Sequence, residues 1–311
     1  MPFILHSDQL SKMLSCRNKS SHYTINREWL LGFIEAEGSF SGGVTCAREK
    51  NAPATFECSQ HSSDYFLMCA IKEWIGAGKV YINARSDGRI CAVYTLRGKQ
   101  LESVLLPLFQ GATHTPKIEQ SVIPWCKANF SHAPAINYTG NISKDWLVGF
   151  ADGDGSFYTT IRQQKDYRIG FQFQTVFDLS QKADADNLSR NSLLKRIQEE
   201  YFSDAPKALI NTVGGDLMDR LRLVSAKYLQ ERCIPLFCGK LQSRKEIQLA
   251  LFQDAVQYIL AKQHLDPKNK GEIDAFISRC KEWKNRHSAE CEKEISRILA
   301  ERKKNDNVPL R

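Results

Sequence analysis

No stretch of this 311-residue sequence supplies the roughly 18 consecutive apolar residues that a membrane-crossing helix needs. The opening residues, MPFILHSDQLSKMLSCRNKS, lack the basic segment followed by an apolar block that marks a secretory signal. The ten cysteines include no CxxC pair, and the nearest two are Cys233 and Cys238. That scatter argues against a zinc clip or a disulfide framework and for reduced, mostly buried thiols. The expectation is a soluble, intracellular protein with no membrane partner, no zinc and no organic cofactor. Acidic residues are also in deficit, 35 against 43 basic ones, for a formal charge of +8. A polyanionic partner fits that balance, which says nothing about fold. With 42% hydrophobic residues the chain can bury a sizeable core, and its length suits two domains better than one.

What organises the chain is a repeat. Trp29 to Phe40 reads WLLGFIEAEGSF and Trp146 to Phe157 reads WLVGFADGDGSF, identical at seven of twelve positions. PLFQG at Pro107 to Gly111 recurs as PLFCG at Pro235 to Gly239, and each is followed six residues after its glycine by a lysine, Lys117 and Lys245. A third pair is Ser59-Gln60 and Ser180-Gln181. The separations grow along the chain (154 − 37 = 117, 181 − 60 = 121, 235 − 107 = 128), as loop insertions into a duplicated domain would make them. The units are 22–130, a Pro- and Gly-containing linker 131–143, and 144–263, followed by a charged helical tail 264–311.

Each repeat patterns as a sheet backed by helices. In the first, Phe40, Val44 and Cys46 alternate with Ser41, Gly43 and Thr45, and Phe56 and Cys58 alternate with Thr55 and Glu57. SDYFLMCAIKEWIG predicts an amphipathic helix ending at Gly76, and Asp87-Gly88 predicts a hairpin turn between 79–85 and 89–97. In the second, Phe157, Ile161, Phe171, Phe173 and Phe177 fall on one face, with Arg162, Arg168, Gln172 and Gln174 on the other. The tail reads as a solvated helix, with a contact to the DNA backbone as its functional alternative.

Glu37-Gly38 and Asp154-Gly155 close the two repeated helices, glycine being expected as a left-handed stop. Gly32 and Ala36, like Gly149 and Gly153, lie four apart on one helix face, where small residues let two backbones approach. Helices packed through those faces bring Glu37 and Asp154 to one end of the pair, where two carboxylates meet two negative helix termini. Such a cluster calls for divalent cations. Carboxylates, adjacent backbone carbonyls (Ala36, Gly153) and phosphate oxygens suit Mg2+ and metal-assisted phosphodiester hydrolysis.

The paired segments LLGFIEAEG at Leu30 to Gly38 and LVGFADGDG at Leu147 to Gly155 resemble the nine-residue signature of the LAGLIDADG homing endonucleases, over roughly 26–262. The resemblance implies an α+β fold of two pseudo-symmetric αββαββα repeats forming a saddle on double-stranded DNA, in a monomer. It implies that Glu37 and Asp154 bind metal and act in catalysis, Gln60 and Gln181 place water, and Lys117 and Lys245 lie near the scissile phosphates. Glu37 stands where the family often has Asp, which leaves the two half-sites unlike each other. Glu35 and Asp152 are expected to be structural. The activity implied is a double-strand break at a long asymmetric site, promoting mobility of a host intron, with mitochondrion or chloroplast as the compartment if the gene is organellar.

Strand ribbons read the major groove through Arg to guanine and Gln or Asn to adenine. The candidate readers are Ser41, Thr45, Thr55, Glu57, Lys79, Asn83, Arg85 and Arg97 in the first repeat. In the second they are Tyr158, Thr160, Arg162, Gln164, Arg168, Gln172 and Gln174, with Arg220 and Arg222 on the later hairpin. The alternatives are a maturase of the same fold that binds its own intron RNA, and a DNA-binding regulator without catalysis. Retention of both acids, both glutamines and both lysines speaks against each, and leaves open a bifunctional protein with both endonuclease and maturase activity.

Overall fold

The computed structural model describes residues 22–43, 53–84, 89–110, 113–130, 140–164, 166, 170–182, 193–206, 209–213, 218–283 and 289–306. The first repeat runs α1 (Arg27–Glu37), β1 (Gly38–Ser41), β2 (Thr55–His61), α2 (Tyr65–Ile75), β3 (Lys79–Ala84) and β4 (Ile90–Arg97), then short helical turns and α3 (Ile123–Asn129). The second runs α4 (Lys144–Asp154), β5 (Gly155–Gln163), β6 (Phe171–Lys182), α5 (Leu193–Tyr201), β7 (Leu209–Val213), β8 (Met218–Leu223), a helical stretch over 226–237 and α6 (Lys245–Leu260). Each sheet is antiparallel, ordered β1-β2-β4-β3 and β5-β6-β8-β7. The expected αββαββα plan is present twice.

Strand pairing explains the sequence alternation. Phe157 faces Phe177 and Ile161 faces Phe173, while Arg162 faces Gln172 and Thr160 faces Gln174 on the opposite surface. A buried aromatic face turned to the helices leaves the amide and guanidinium face for solvent. The recurrence of PLF also has a packing cause. Phe109 lies 6.0 Å from Phe40, and Phe237 lies 5.4 Å from Phe157, so each PLF aromatic meets the last residue of its motif. β1 is shorter than its alternation suggested, ending at Ser41. Val44, Thr45 and Cys46 lie outside the described residues, as do Arg85, Asp87-Gly88 and Arg168. The predicted helix before Gly76 forms, and Gly76 takes φ 77°, the left-handed stop.

The tail differs from the solvated helix expected of it. α7 (Lys270–Trp283) buries Ile273 and Phe276 against Phe173, Leu251 and Tyr258 of the second repeat. α8 (Ala289–Asp306) returns to the first repeat, where Ile295 is buried and the Cys291 thiol donates to the Ser62 carbonyl at 3.4 Å. The charged residues dominate the composition, but the few apolar ones fall on one side and are used. Burying Ile273 and Phe276 is worth about 3 to 6 kcal/mol together. A chain ending before Lys270 is therefore expected to melt roughly 5 °C or more below the full chain by circular dichroism. An unchanged midpoint would mean that this packing stabilises nothing.

Candidate active site at the paired helix ends

The two motif helices pack along their glycine faces. A Cβ on Gly32 would sit 2.0 Å from the Trp146 carbonyl oxygen, and one on Gly149 would sit 1.9 Å from that of Trp29. On Gly153 it would meet the Ala36 Cβ at 2.3 Å. The spacing read as close backbone approach is thus used at every turn of the contact. Asn26 and Ser143 accept from the N–H of Trp29 and Trp146 and start the two helices at matching positions. Asn26 also donates to Asp145, and Ser143 to Glu28, so each cap reaches the other repeat.

The glycines after the two acids do not play the part expected of them. Gly38 has φ −68°, ψ 142° and Gly155 has φ −73°, ψ 149°, extended conformations open to any residue. Space is what requires glycine there: a Cβ would meet the Ile34 carbonyl oxygen at 2.6 Å in one case and that of Ala151 at 2.5 Å in the other. Each chain passes from helix straight into strand, so β1 and β5 begin beside the acids.

Two buried acids, Glu35 and Asp152, lock the arrangement by exchange. The Trp29 indole donates to Asp152 at 2.9 Å and the Trp146 indole to Glu35 at 2.9 Å, each across the helix pair. Glu35 also accepts from the N–H of His114 and Thr115, and Asp152 from those of Gln242 and Ser243. These segments immediately precede Lys117 and Lys245. The structural role expected of the inner acids is thereby specific: they seat the lysine turns. Burial pushes Glu35 up to about 7 and raises Asp152, against the pull of those donors.

The outer acids meet the lysines and glutamines. Gln181 Nε2 donates to Asp154 Oδ2 from β6, and Gln60 on β2 hydrogen-bonds Glu37. Lys117 Nζ donates to the Gly38 carbonyl and to that of Glu35 at 3.4 Å. Lys245 Nζ donates to the carbonyls of Gly153 and of Ala151, the latter at 3.2 Å. Both ammonium groups lie within electrostatic reach of both carboxylates. Asp154 is pushed up to about 7 by burial and by the Glu37 charge, with the lysines opposing. Burial likewise raises Glu37 and lowers both lysines. All six residues singled out from the sequence therefore converge. Among the described residues there is no group of three or more His, Cys, Asp and Glu suited to a metal.

The candidate readers within the described strands share the outward sheet faces, and Thr45, Arg85 and Arg168 lie outside the described residues. Gln174 and Arg162 are exposed, and Gln172, Tyr158 and Arg220 half-buried, on the second sheet; Lys79 is exposed and Asn83 half-buried on the first, where Ser41 and Arg97 are exposed on either side of Thr55, a candidate reader that is instead buried. Two features were not foreseen. Asp178, 5% exposed, pairs with Arg222 at 2.8 Å, so that guanidinium is already committed within the protein. On the first sheet Tyr81 donates to Glu57 at 3.0 Å. A strand alternation shows that Asp178 and Arg222 can face outward, but the pairing of β6 with β8 that joins them is a register fact.

Comparison with known proteins follows the same division. A family model described as LAGLIDADG endonuclease matches residues 30–129 and 147–256. Among curated relatives, a probable intron-encoded endonuclease Cox1-I1b of Schizosaccharomyces pombe is 22% identical over 246 residues, covering 68% of this chain and 59% of its own. A probable intron-encoded endonuclease 4 of Neurospora crassa is 26% identical over 144 residues, 44% of this chain and 25% of its own. The chain thus spans less than two thirds of these relatives. Of solved structures, I-SmaMI bound to an uncleaved DNA target in the presence of calcium ions aligns with TM-score 0.61 at 21% identity, over 81% of this chain and 98% of that one. The I-LtrWI LAGLIDADG homing endonuclease bound to target DNA aligns with TM-score 0.62 at 19% identity, over 85% and 98%. These likenesses establish the fold.

Proposed function

The chain belongs to the LAGLIDADG endonuclease family, and on that premise we propose that it is a monomeric homing endonuclease, cutting both strands of a long asymmetric DNA site by metal-dependent hydrolysis. The single observation that carries this is the convergence of Glu37 and Asp154, each with its own glutamine and lysine, at one end of the α1–α4 pair. One chain then holds both halves of a site that must act on two strands.

The donor set fits a hard divalent cation. The Glu37 charge raises the proton affinity of the half-buried Asp154 carboxylate, a repulsion that a dication relieves; the helix-end carbonyl of Ala36 would add an oxygen ligand, whereas that of Gly153, expected to do the same, is taken by the Lys245 ammonium. Mg2+ bound by Glu37, Asp154 and the Ala36 carbonyl would supply activation of water and charge neutralisation at phosphate. The protein's side chains do the rest. Gln181 donates its amide hydrogen to Asp154, which leaves the amide oxygen to accept from water and orient it; Gln60 does the same beside Glu37. Lys117 and Lys245, anchored by carbonyls at the helix ends, present cationic donors to phosphate oxygens whose charge grows as phosphorus is attacked. Their burial favours the neutral amine and so eases donation of a proton toward the leaving oxygen.

The outward faces read sequence. Because Tyr158 of β5 stands where β1 has Ser41, and Arg220 of β8 stands where β4 has Val93, the two half-sites differ, and no palindrome is required. Replacing exposed Gln174 with Ala is expected to relax preference at one or two base pairs with cleavage intact, a loss of about 1 to 3 kcal/mol in discrimination. Arg222→Ala is expected to do more, since it also strands the buried Asp178 carboxylate next to the DNA. Cleavage of a target library with each single base pair varied separates the two, and identical profiles would refute the distinction.

The test of function is incubation with DNA carrying the joined exons that flank the intron, in Mg2+. Double-strand breaks at the junction with 3′ single-stranded ends support it. Binding to the intron RNA with no cut in DNA would establish a maturase instead.

A further inference from the structure

Thr115-Pro116-Lys117 and Ser243-Arg244-Lys245 occupy matching places at the start of the two lysine-bearing segments. In both, the residue two before the lysine donates its N–H to an inner motif acid, Thr115 to Glu35 and Ser243 to Asp152. The middle residue differs. Proline carries no N–H, so Pro116 needs no acceptor at the buried start of its segment. Arg244 has an N–H, and it donates at 2.7 Å to Oδ1 of Asp64. Asp64 is 2% exposed and closes the turn Ser62–Asp64 of the first repeat, 180 residues earlier in the chain.

Three further facts bear on this contact. Asp64 places a carboxylate at the positive end of α6, where a negative charge is stabilised by the helix dipole. It also faces the Lys245 ammonium electrostatically. The turn that carries it is braced from behind by α8, through the Cys291 thiol on the Ser62 carbonyl. Nothing in the family signature or in the repeat pairing assigns Asp64 a role.

Resting on the endonuclease function above, we propose that Asp64 is a positioning residue acting across the repeat interface: by accepting from the Arg244 N–H it fixes the first turn of α6 and so sets Lys245 against its phosphate. The first repeat therefore completes the half-site of the second. Pro116, with no N–H to satisfy, leaves the Lys117 turn in no need of such a contact. The dependence is one-sided, and only the strand handled beside Lys245 should feel it.

The experiment uses the full chain and a target duplex labelled on both strands. Asp64→Ala is expected to slow cutting of one strand about tenfold or more, the same strand in every molecule, with the other strand little changed. Nicked circles should then accumulate from supercoiled plasmid. Asp64→Asn keeps an acceptor oxygen and should restore paired cutting. So should Arg244→Pro added to Asp64→Ala, because Arg244 has φ −53°, within the range proline adopts, and the change copies the Pro116 arrangement. Equal slowing of both strands, or none, overturns the proposal. If Asp64→Ala melts below the assay temperature, the Asp64→Ala, Arg244→Pro variant decides: paired cutting supports the proposal and one-strand nicking refutes it. Failure of the unmodified protein to cut at all would instead overturn the endonuclease function.

Discussion

Gly149→Val is expected to leave too little stability for a folded protein at 37 °C. The first added carbon would lie 1.9 Å from the Trp29 carbonyl oxygen, and the obstacle is backbone, which cannot swing aside as a side chain does. Sliding α4 away gives no relief, because Gly32 and Gly153 hold the same contact on either side, at 2.0 Å and 2.3 Å by the same measure. Separation of the helices would also break the Trp29–Asp152 and Trp146–Glu35 hydrogen bonds and take one donor from each buried acid. Overpacking ordinarily costs about 1 to 3 kcal/mol at each blocked contact, and two broken hydrogen bonds to buried carboxylates add about 1.5 to 3 kcal/mol each, together a large part of a domain's 5 to 15 kcal/mol. Gly239→Ala serves as the contrast. There φ is 73° and nothing lies within 4 Å, so only the conformational penalty of roughly 1 kcal/mol applies. Thermal melting followed by circular dichroism should show a small shift for the second and no cooperative transition near the normal midpoint for the first. A Gly149→Val protein that melts normally would mean that the helices do not approach as described.

The second large effect is chemical. Asp154→Asn and Glu37→Gln each keep shape while removing a negative ligand, and each is expected to reduce double-strand cleavage at least ~10²-fold, the scale of losing one preorganised charge-stabilising group. Affinity for the target should hold or rise, since a carboxylate facing phosphates is repulsive. Gel-shift titration in Ca2+ and plasmid cleavage in Mg2+ measure the two separately. Loss of binding in parallel with cleavage would place these acids in the fold and not in the chemistry.

Much of this architecture was legible in the sequence because duplication writes every constraint twice. The glycine spacing of α1 and α4, the phenylalanine alternation of β5 and β6, and the lysines after the two PLF segments each recur, and recurrence distinguishes a requirement from a coincidence. The site residues that face one another across the pseudo-twofold were legible for the same reason. What was not legible depends on contacts between unlike parts. Asp64 serves Arg244 only because Arg244 is not proline, and Asp178 meets Arg222 only through the β6–β8 register. The tail misleads because its composition is that of a solvated helix, whereas Phe276, Cys291 and Ile295 need only one side of it to anchor both repeats. Gly38 and Gly155 were placed correctly but for another cause, since sequence cannot distinguish a glycine required by φ from one required by space.

The central claim is that Glu37 and Asp154 together form one hydrolytic centre for both strands. The most direct measurement is cleavage of a plasmid bearing the joined-exon target by the Glu37→Gln, Asp154→Asn double variant in Mg2+, beside unmodified protein and with binding verified in Ca2+. The expected result is a double variant that binds the site, leaves the plasmid supercoiled, and shows neither nicked nor linear product. Linear product at the unmodified rate would contradict the claim and move the chemistry elsewhere in the molecule.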